Sequence, residues 1–329
     1  MKIVALKAAA SASPYLELVR ENYKGYSQSF LTTIENQFQK ACSKSGTESI
    51  LVMDDKKILA HAILDQNPGM GQGIGSFGFF ECINDKQVCS LLFEKIFQRA
   101  REINLSKILG PINLDTWHTY RVISEGDQSP LFWGEPLCLS YYSELIDSQN
   151  PSNTINYYSA YREKYDNMIE ATEQSYLQAL NNGISIKAQV AIAPEQHRQI
   201  WQISSEIFSK NWAYSPINYE EFSELYPILN TDNKSQLIYT ASLKEEVIGF
   251  CSVIISGNNQ RIVKTLALKK KFHGMGLGNA LVHCIHKDAK KGACAKIIYA
   301  LIRNTNQIKN FPTENGIVMR KYKAYEFEI

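Results

Sequence analysis

The stretch over residues 261–303, RIVKTLALKKKFHGMGLGNALVHCIHKDAKKGACAKIIYALIR, constrains the fold of this chain more than any other. It reads as strand, glycine loop, helix, strand. Residues 261–268 are rich in β-branched and aliphatic side chains, which suits a buried strand. Gly274, Gly276 and Gly278 then crowd into one short loop. Residues 279–290 carry Leu281, Val282 and Ile285 on one helical face, and Gly292 supplies a stop. Residues 296–302 form a second strand. Glycines at a strand-to-helix junction let backbone N–H groups converge on an anion, and the helix N-terminus adds its partial positive charge. Lys269, Lys270 and Lys271 add positive potential. Such a unit is built to hold a phosphate.

Three classes of glycine loop compete for this assignment. A P-loop needs Gly-Lys followed by Ser or Thr, whereas Gly278 is followed by Asn279. A dinucleotide fingerprint needs Gly-x-Gly-x-x-Gly and an acid closing the next strand, which here ends Arg303-Asn304-Thr305-Asn306. The third class fits. Lys271-Phe272-His273-Gly274-Met275-Gly276 resembles the Arg/Gln-x-x-Gly-x-Gly/Ala motif of the GNAT superfamily of acyl-CoA-dependent N-acyltransferases. The resemblance implies that the amides of this loop, through Leu277, Gly278 and Asn279, cradle the pyrophosphate of coenzyme A. It implies as well that the strand ending at Leu266, Ala267 and Leu268 splays from its neighbour and polarises the thioester carbonyl. Asn304 and Asn306 resemble the asparagine that the family places beside the pantetheine arm. Lysine in the first motif position keeps the charge and loses the fork of donors.

The order of elements extends the resemblance. Residues 184–192 read as a strand, 193–212 and 219–229 as helices, 236–243 and 247–255 as a hairpin, 306–310 as a short helix, and 320–329 as a final strand. The front of the chain repeats the plan. It has a strand at 2–7, helical stretches around 15–22 and 30–41, a hairpin at 49–53 and 58–64, and strand–helix–strand over 75–113. It lacks the glycine loop: Glu81-Cys82-Ile83-Asn84-Asp85 joins strand to helix, with two acids where a phosphate would sit. The expected fold class is α/β with a mixed sheet, as two tandem GNAT-like domains of which the first is degenerate. Residues 1–163 form that first domain, 164–182 a linking helix and 183–329 the acyl-CoA-binding domain. The segments GFFE at 78–81, GPIN at 110–113, YY-x-x-LI at 141–146 and YYSAYR at 157–162 are similar to a bacterial family of tandem GNAT-like putative N-acyltransferases. The aromatic run from Asp115 to Tyr120 departs from that family and bears on substrate choice.

Composition narrows the partners. Hydrophobic residues at 44% support a core, and a net charge of +2 argues against nucleic acid. No segment reaches the roughly 18 apolar residues of a membrane span. The start MKIVALKAAASASP reads as a strand, since Lys7 breaks the apolar run. Seven cysteines without Cys-x-x-Cys spacing read as reduced thiols of a cytoplasmic protein. His283 and His286, three apart, read as a partly exposed helix face rather than a metal site, so no metal is expected. Cys284 reads as core, residues 147–156 read as a surface loop, and His273 faces either phosphate or solvent.

Amine attack on a thioester requires a neutral amine, a polarised carbonyl and a proton for the departing thiolate. Phe311 stands near the place where the family sets an acidic tyrosine, which leaves Tyr299 and Tyr322 as the catalytic candidates. Trp117, His118, Tyr120, Trp212, Tyr214 and Tyr219 are candidate walls for a small amine or amino acid, at a junction of the two halves. Two alternatives stand beside acyl-CoA transfer. One draws the acyl group from an acyl carrier protein or aminoacyl-tRNA; the other binds coenzyme A without turnover. Acyl length, acceptor and oligomeric state are not written in the sequence.

Overall fold

The computed structural model describes residues 1–26, 28–55, 57–127, 129–228, 236–257, 259–305 and 316–329. Its contacts divide into two compact units. The first takes residues 1–156, 212–215 and 321–329; the second takes residues 157–211 and 216–320.

In the first unit the strands β1 (Lys2–Lys7), β2 (Thr47–Asp54), β3 (Lys57–Asp65), β4 (Ile74–Cys82) and β5 (Lys107–Gly110) are neighbours in that order. Pairing is antiparallel up to β4. The β4–β5 pair is parallel, with Ile74 opposite Lys107. Helices α1 (Ala12–Asn22) and α2 (Gln28–Ser43) follow β1, and α3 (Lys86–Glu102) makes the crossover from β4 to β5. Alternation along the strands feeds two cores. Phe77 and Phe80 pack with Leu92, Phe93 and Ile96 of α3, the Phe77 and Phe93 rings 5.2 Å apart. Phe79 instead joins Tyr15 and Phe38 from α1 and α2. Two short elements were not legible in the sequence: β6 (Val122–Gly126) and α4 (Tyr142–Asp147).

The second unit orders its strands β7 (Asn153–Arg162), β12 (Lys296–Arg303), β11 (Gln260–Leu268), β10 (Glu246–Ser256), β9 (Gln236–Leu243) and β8 (Ile184–Gln189). Helices α5 (Asp166–Asn181) and α8 (Leu277–Lys291) pack together. α6 (Pro194–Phe208) lies against β10 and β11, and α7 (Tyr219–Leu225) follows it. Leu281, Ile285 and Ala289 of α8 share a core with Val253, Val263 and Ile297.

Each unit is completed by the last strand of the other half. β7, ending the front half of the sequence, pairs antiparallel with β12, Arg162 opposite Ile297. The end of β13 (Ile317–Glu328) pairs antiparallel with β5, from Tyr325 opposite Gly110 to Glu328 opposite Lys107. Some sequence expectations need correcting. β7 begins at Asn153, inside the segment read as a loop, because Ile155 and Tyr157 alternate into the core. α6 stops at Phe208, before the expected end at 212. The short helix expected at 306–310 lies outside the described residues.

Candidate functional site

The candidate site lies where β11 and β12 part. Their parallel pairing runs only from Gln260 opposite Lys296 to Val263 opposite Tyr299, although β11 continues to Leu268 and β12 to Arg303. Two irregularities turn them apart. In the β10–β11 ladder Ser252 faces Thr265 while Val253 faces Val263, so Lys264 is an extra residue that twists β11. In β12, Leu301 adopts φ 56° and its N–H donates to Ser159 Oγ at 3.0 Å, and the strand resumes pairing with Ile302 opposite Tyr158. Leu266, Ala267 and Leu268 form one lip of the opening. β10 stays close beneath it, since a Cβ on Gly249 would lie 2.4 Å from Leu268 Cδ2.

The loop after β11 is anchored at both ends and bare in the middle. Phe272 and Leu277 are buried in the core. His273 donates from Nε2 to the Leu268 carbonyl at 2.9 Å and stays exposed. Between the anchors, Gly274 and Gly276 take φ 77° and 75°, the left-handed region where a side chain is strained. Gly276 is the N-cap of α8, and no side chain caps this helix. A Cβ on Gly274 would meet nothing within 4 Å. Gly278 sits against the Leu266 and Leu268 side chains, and Asn279 is half-buried in the first turn. The first turn of a helix presents donors that only a cap, water or an anion can satisfy. An open glycine cradle on an uncapped helix fits a phosphate or pyrophosphate group. The lysines contribute less than their number suggests. Lys269 and Lys271 both pair with Glu246, at 2.5 and 3.6 Å, and Lys270 with Glu206 at 3.5 Å. The hydrogen bond from Lys269 holds the Glu246 carboxyl below its ordinary range.

The hydroxyls of both catalytic candidates are engaged in buried hydrogen bonds. Tyr299 is buried, and its hydroxyl donates to His286 Nε2 at 2.5 Å while His286 Nδ1 donates to the Val282 carbonyl at 2.7 Å. Burial raises the Tyr299 phenol and lowers the His286 imidazole to about 4, so the pair is neutral. Tyr322 belongs to the first unit, where its hydroxyl donates to Glu135 at 2.5 Å. Asn304 is exposed in the turn after β12, and Asn306 lies outside the described residues. His283 and His286 are fully buried, which corrects the exposed face expected of them: His286 bonds through both ring nitrogens and His283 through Nδ1 to the Ile169 carbonyl, while His283 Nε2 is buried without a partner among the described residues. Cys284 is partly exposed and packs on the same core.

Four of the proposed acceptor residues do converge, in the first unit. The rings of Trp117 and Tyr214 lie 6.0 Å apart, and those of Tyr120 and Trp212 lie 6.4 Å apart. Trp117 Nε1 donates to the Ser215 carbonyl at 2.9 Å and Trp212 Nε1 to Glu326 at 2.7 Å. His118 joins them in sequence and holds Asp115 Oδ1 at 2.7 Å through Nδ1. That partner was readable as Asp-x-x-His, one turn of chain apart. Tyr219 is elsewhere: it belongs to the second unit and bonds His197 Nδ1 at 3.0 Å.

The equivalent junction in the first unit, between β4 and α3, is closed. Asp85 caps α3, accepting from the amides of Gln87 at 2.8 Å and Val88 at 3.1 Å. Glu81 is buried and accepts from Tyr142 at 2.6 Å, Asn22 at 2.7 Å and Tyr23 at 2.9 Å. Burial pushes its carboxyl up to about 7, against the smaller opposing pull of those three donors. Among the described residues no group of His, Cys, Asp and Glu is placed to hold a metal ion.

Residues 197–310 match the model of the acetyltransferase (GNAT) family. Protein YghO of Escherichia coli K12 is 22% identical over 184 residues, 55% of this chain; the match spans 46% of that protein, about half its length. A tandem GNAT protein from the clavulanic acid biosynthesis pathway superposes with a TM-score of 0.55 at 10% identity, covering 99% of this chain and 98% of that one. A GCN5-related N-acetyltransferase from Sphaerobacter thermophilus gives 0.54 at 10% identity, covering 99% and 95%. At such identities the likeness is one of fold. Residues 197–310 thus match the GNAT family, and the chain as a whole has the α/β fold of tandem GNAT proteins.

Proposed function

We propose that this protein is an N-acyltransferase that takes an acyl group from acyl-CoA and passes it to the amine of a small molecule or amino acid. One observation carries the reading: of two strand-to-helix junctions built on one plan, only that at α8 is uncapped, glycine-lined and set beside parted strands. Bound acyl-CoA supplies the activated thioester. The loop from Lys271 to Asn279 holds its pyrophosphate, with the α8 N-terminus balancing the charge. The lip at Leu266, Ala267 and Leu268 offers main-chain N–H groups, without a strand partner on the β12 side, to the thioester carbonyl. Within the first unit, the ring faces gathered at Trp117, Tyr120, Trp212 and Tyr214, with His118 beside them in sequence, suit an ammonium group such as an amine acceptor carries before it loses its proton. The free thiols of all seven cysteines support a cytoplasmic location.

A second reading has one observation in its favour. The hydroxyls of Tyr299 and Tyr322 are both engaged in buried hydrogen bonds, which suits a protein that binds coenzyme A without turnover. Titration with acetyl- through palmitoyl-CoA in a calorimeter, followed by thiol release with a panel of amines, separates the two. Transfer predicts binding and amine-dependent release of thiol. Binding without thiol release under any amine supports the second reading, and no binding of any acyl-CoA overturns both.

A further inference from the structure

Resting on the coenzyme A reading above, we propose that Ser175 of α5 is a phosphate-binding residue, its hydroxyl supplementing the loop amides at the α8 N-terminus. Ser175 lies outside residues 197–310, so the match to the acetyltransferase family says nothing of it. A Cβ built on Gly276 would lie 3.0 Å from Ser175 Oγ and 3.3 Å from its Cβ. The hydroxyl therefore rests against the N-cap of a helix that has no capping side chain. Ser175 is half-buried, and no hydrogen bond of its hydroxyl is found among the described residues.

Its placement is fixed from below. His283 of α8, fully buried, donates from Nδ1 to the Ile169 carbonyl at 3.1 Å. The Tyr176 ring stacks on the same imidazole, centroids 4.8 Å apart at 14°. Thr172 is buried beside it, its hydroxyl turned back to the Met168 carbonyl. Residues 169, 172 and 176 share one face of α5, and 175 is on that face one turn beyond 172. Packing at His283 thus fixes the rotation of α5, and that rotation sets Ser175 on Gly276. The same contact gives Gly276 a second reason to be glycine: any side chain there would displace the hydroxyl.

The test is calorimetry on the full chain with two probes, acetyl-CoA and S-acetylpantetheine, the latter lacking every phosphate. Ser175→Ala is expected to weaken acetyl-CoA by about tenfold, as loss of a hydrogen bond to a charged group does, and to leave S-acetylpantetheine unchanged. Ser175→Asp should remove acetyl-CoA binding while the melting temperature holds or rises, because a carboxylate at this position caps α8. The proposal is overturned if both variants bind acetyl-CoA within about twofold of wild type. A lowered melting temperature with unchanged affinity overturns it too, since that outcome assigns Ser175 to packing. Failure of the wild type to bind acetyl-CoA removes the underlying reading, and is seen before any variant is made.

Discussion

At the β4–α3 junction the protein supplies its own anions, and at the β11–α8 junction it leaves room for one. Asp85 takes the first amides of α3, and Glu81 behind it is enclosed by Asn22, Tyr23 and Tyr142. At α8 the cap is a left-handed glycine with no side chain, and the nearest carboxylate on the loop lysines, Glu246, is an exposed surface group. The two helices have similar lengths and the same crossover role, so the difference lies in a few junction residues. A helix N-terminus is therefore only a candidate anion site until its own cap has been inspected. In the front half, a carboxylate of the chain itself takes the first amides of the helix.

The largest effect expected from breaking this contrast is at Gly274. Gly274→Glu puts a carboxylate in open space beside the α8 amides, and acetyl-CoA affinity should fall by at least about 100-fold in calorimetry. Gly276 is a less clean probe, because a side chain there also meets Ser175. Next comes Glu81. Glu81→Ala strands the buried Tyr23 and Tyr142 hydroxyls and the half-buried Asn22 amide and should cost on the order of 3 kcal/mol, read by chemical denaturation, with acetyl-CoA affinity unchanged.

The same carboxyl gives a pH signature. Its folded pKa is raised to about 7, so its stabilising contribution is complete below the unfolded value of about 4.3 and is lost as pH rises through about 7. Tyr15, Tyr23, Tyr142 and Cys138 around it are kept neutral over this range by burial. Buried His61 and His286, both lowered to about 4, give a slope of opposite sign. The quantity to measure is therefore the difference in melting temperature between wild type and Glu81→Gln. Wild type should lose stability relative to the variant as pH rises from about 4.3 to about 7, the range the two pKa values bracket; a flat difference would remove Glu81 from the account. The smallest effect belongs to the cap: Asp85→Ala should cost about 1 kcal/mol and leave cofactor binding alone.

The glycine loop and the strand–helix order around it were legible because they are local: periodicity, glycine and turn residues mark each element within its own segment. The exchange of last strands was not. Nothing in YYSAYR or RKYKAYEFEI says which edge each strand will join, since both alternate equally well. One consequence is that a fragment of residues 183–329 lacks β7 and α5, and so leaves β12 without its antiparallel neighbour and α8 without the helix it packs on. The engagement of the catalytic candidates' hydroxyls was not legible for a related reason. A tyrosine in a strand reads the same whether its hydroxyl meets solvent or, as at Tyr299, a buried histidine. The aromatic group was half legible: Trp117, Tyr120, Trp212 and Tyr214 met, while Tyr219 packed on His197. Ser175 carried no signal at all, because its position depends on packing around His283.

The central claim is that one junction is open and the other closed, and it is tested most directly by the stoichiometry of acetyl-CoA binding to the full chain. Calorimetric titration should give one site per chain in the wild type, one in Asp85→Ala, and none in Gly274→Glu. Two sites in the wild type, or one site that survives Gly274→Glu, would contradict it.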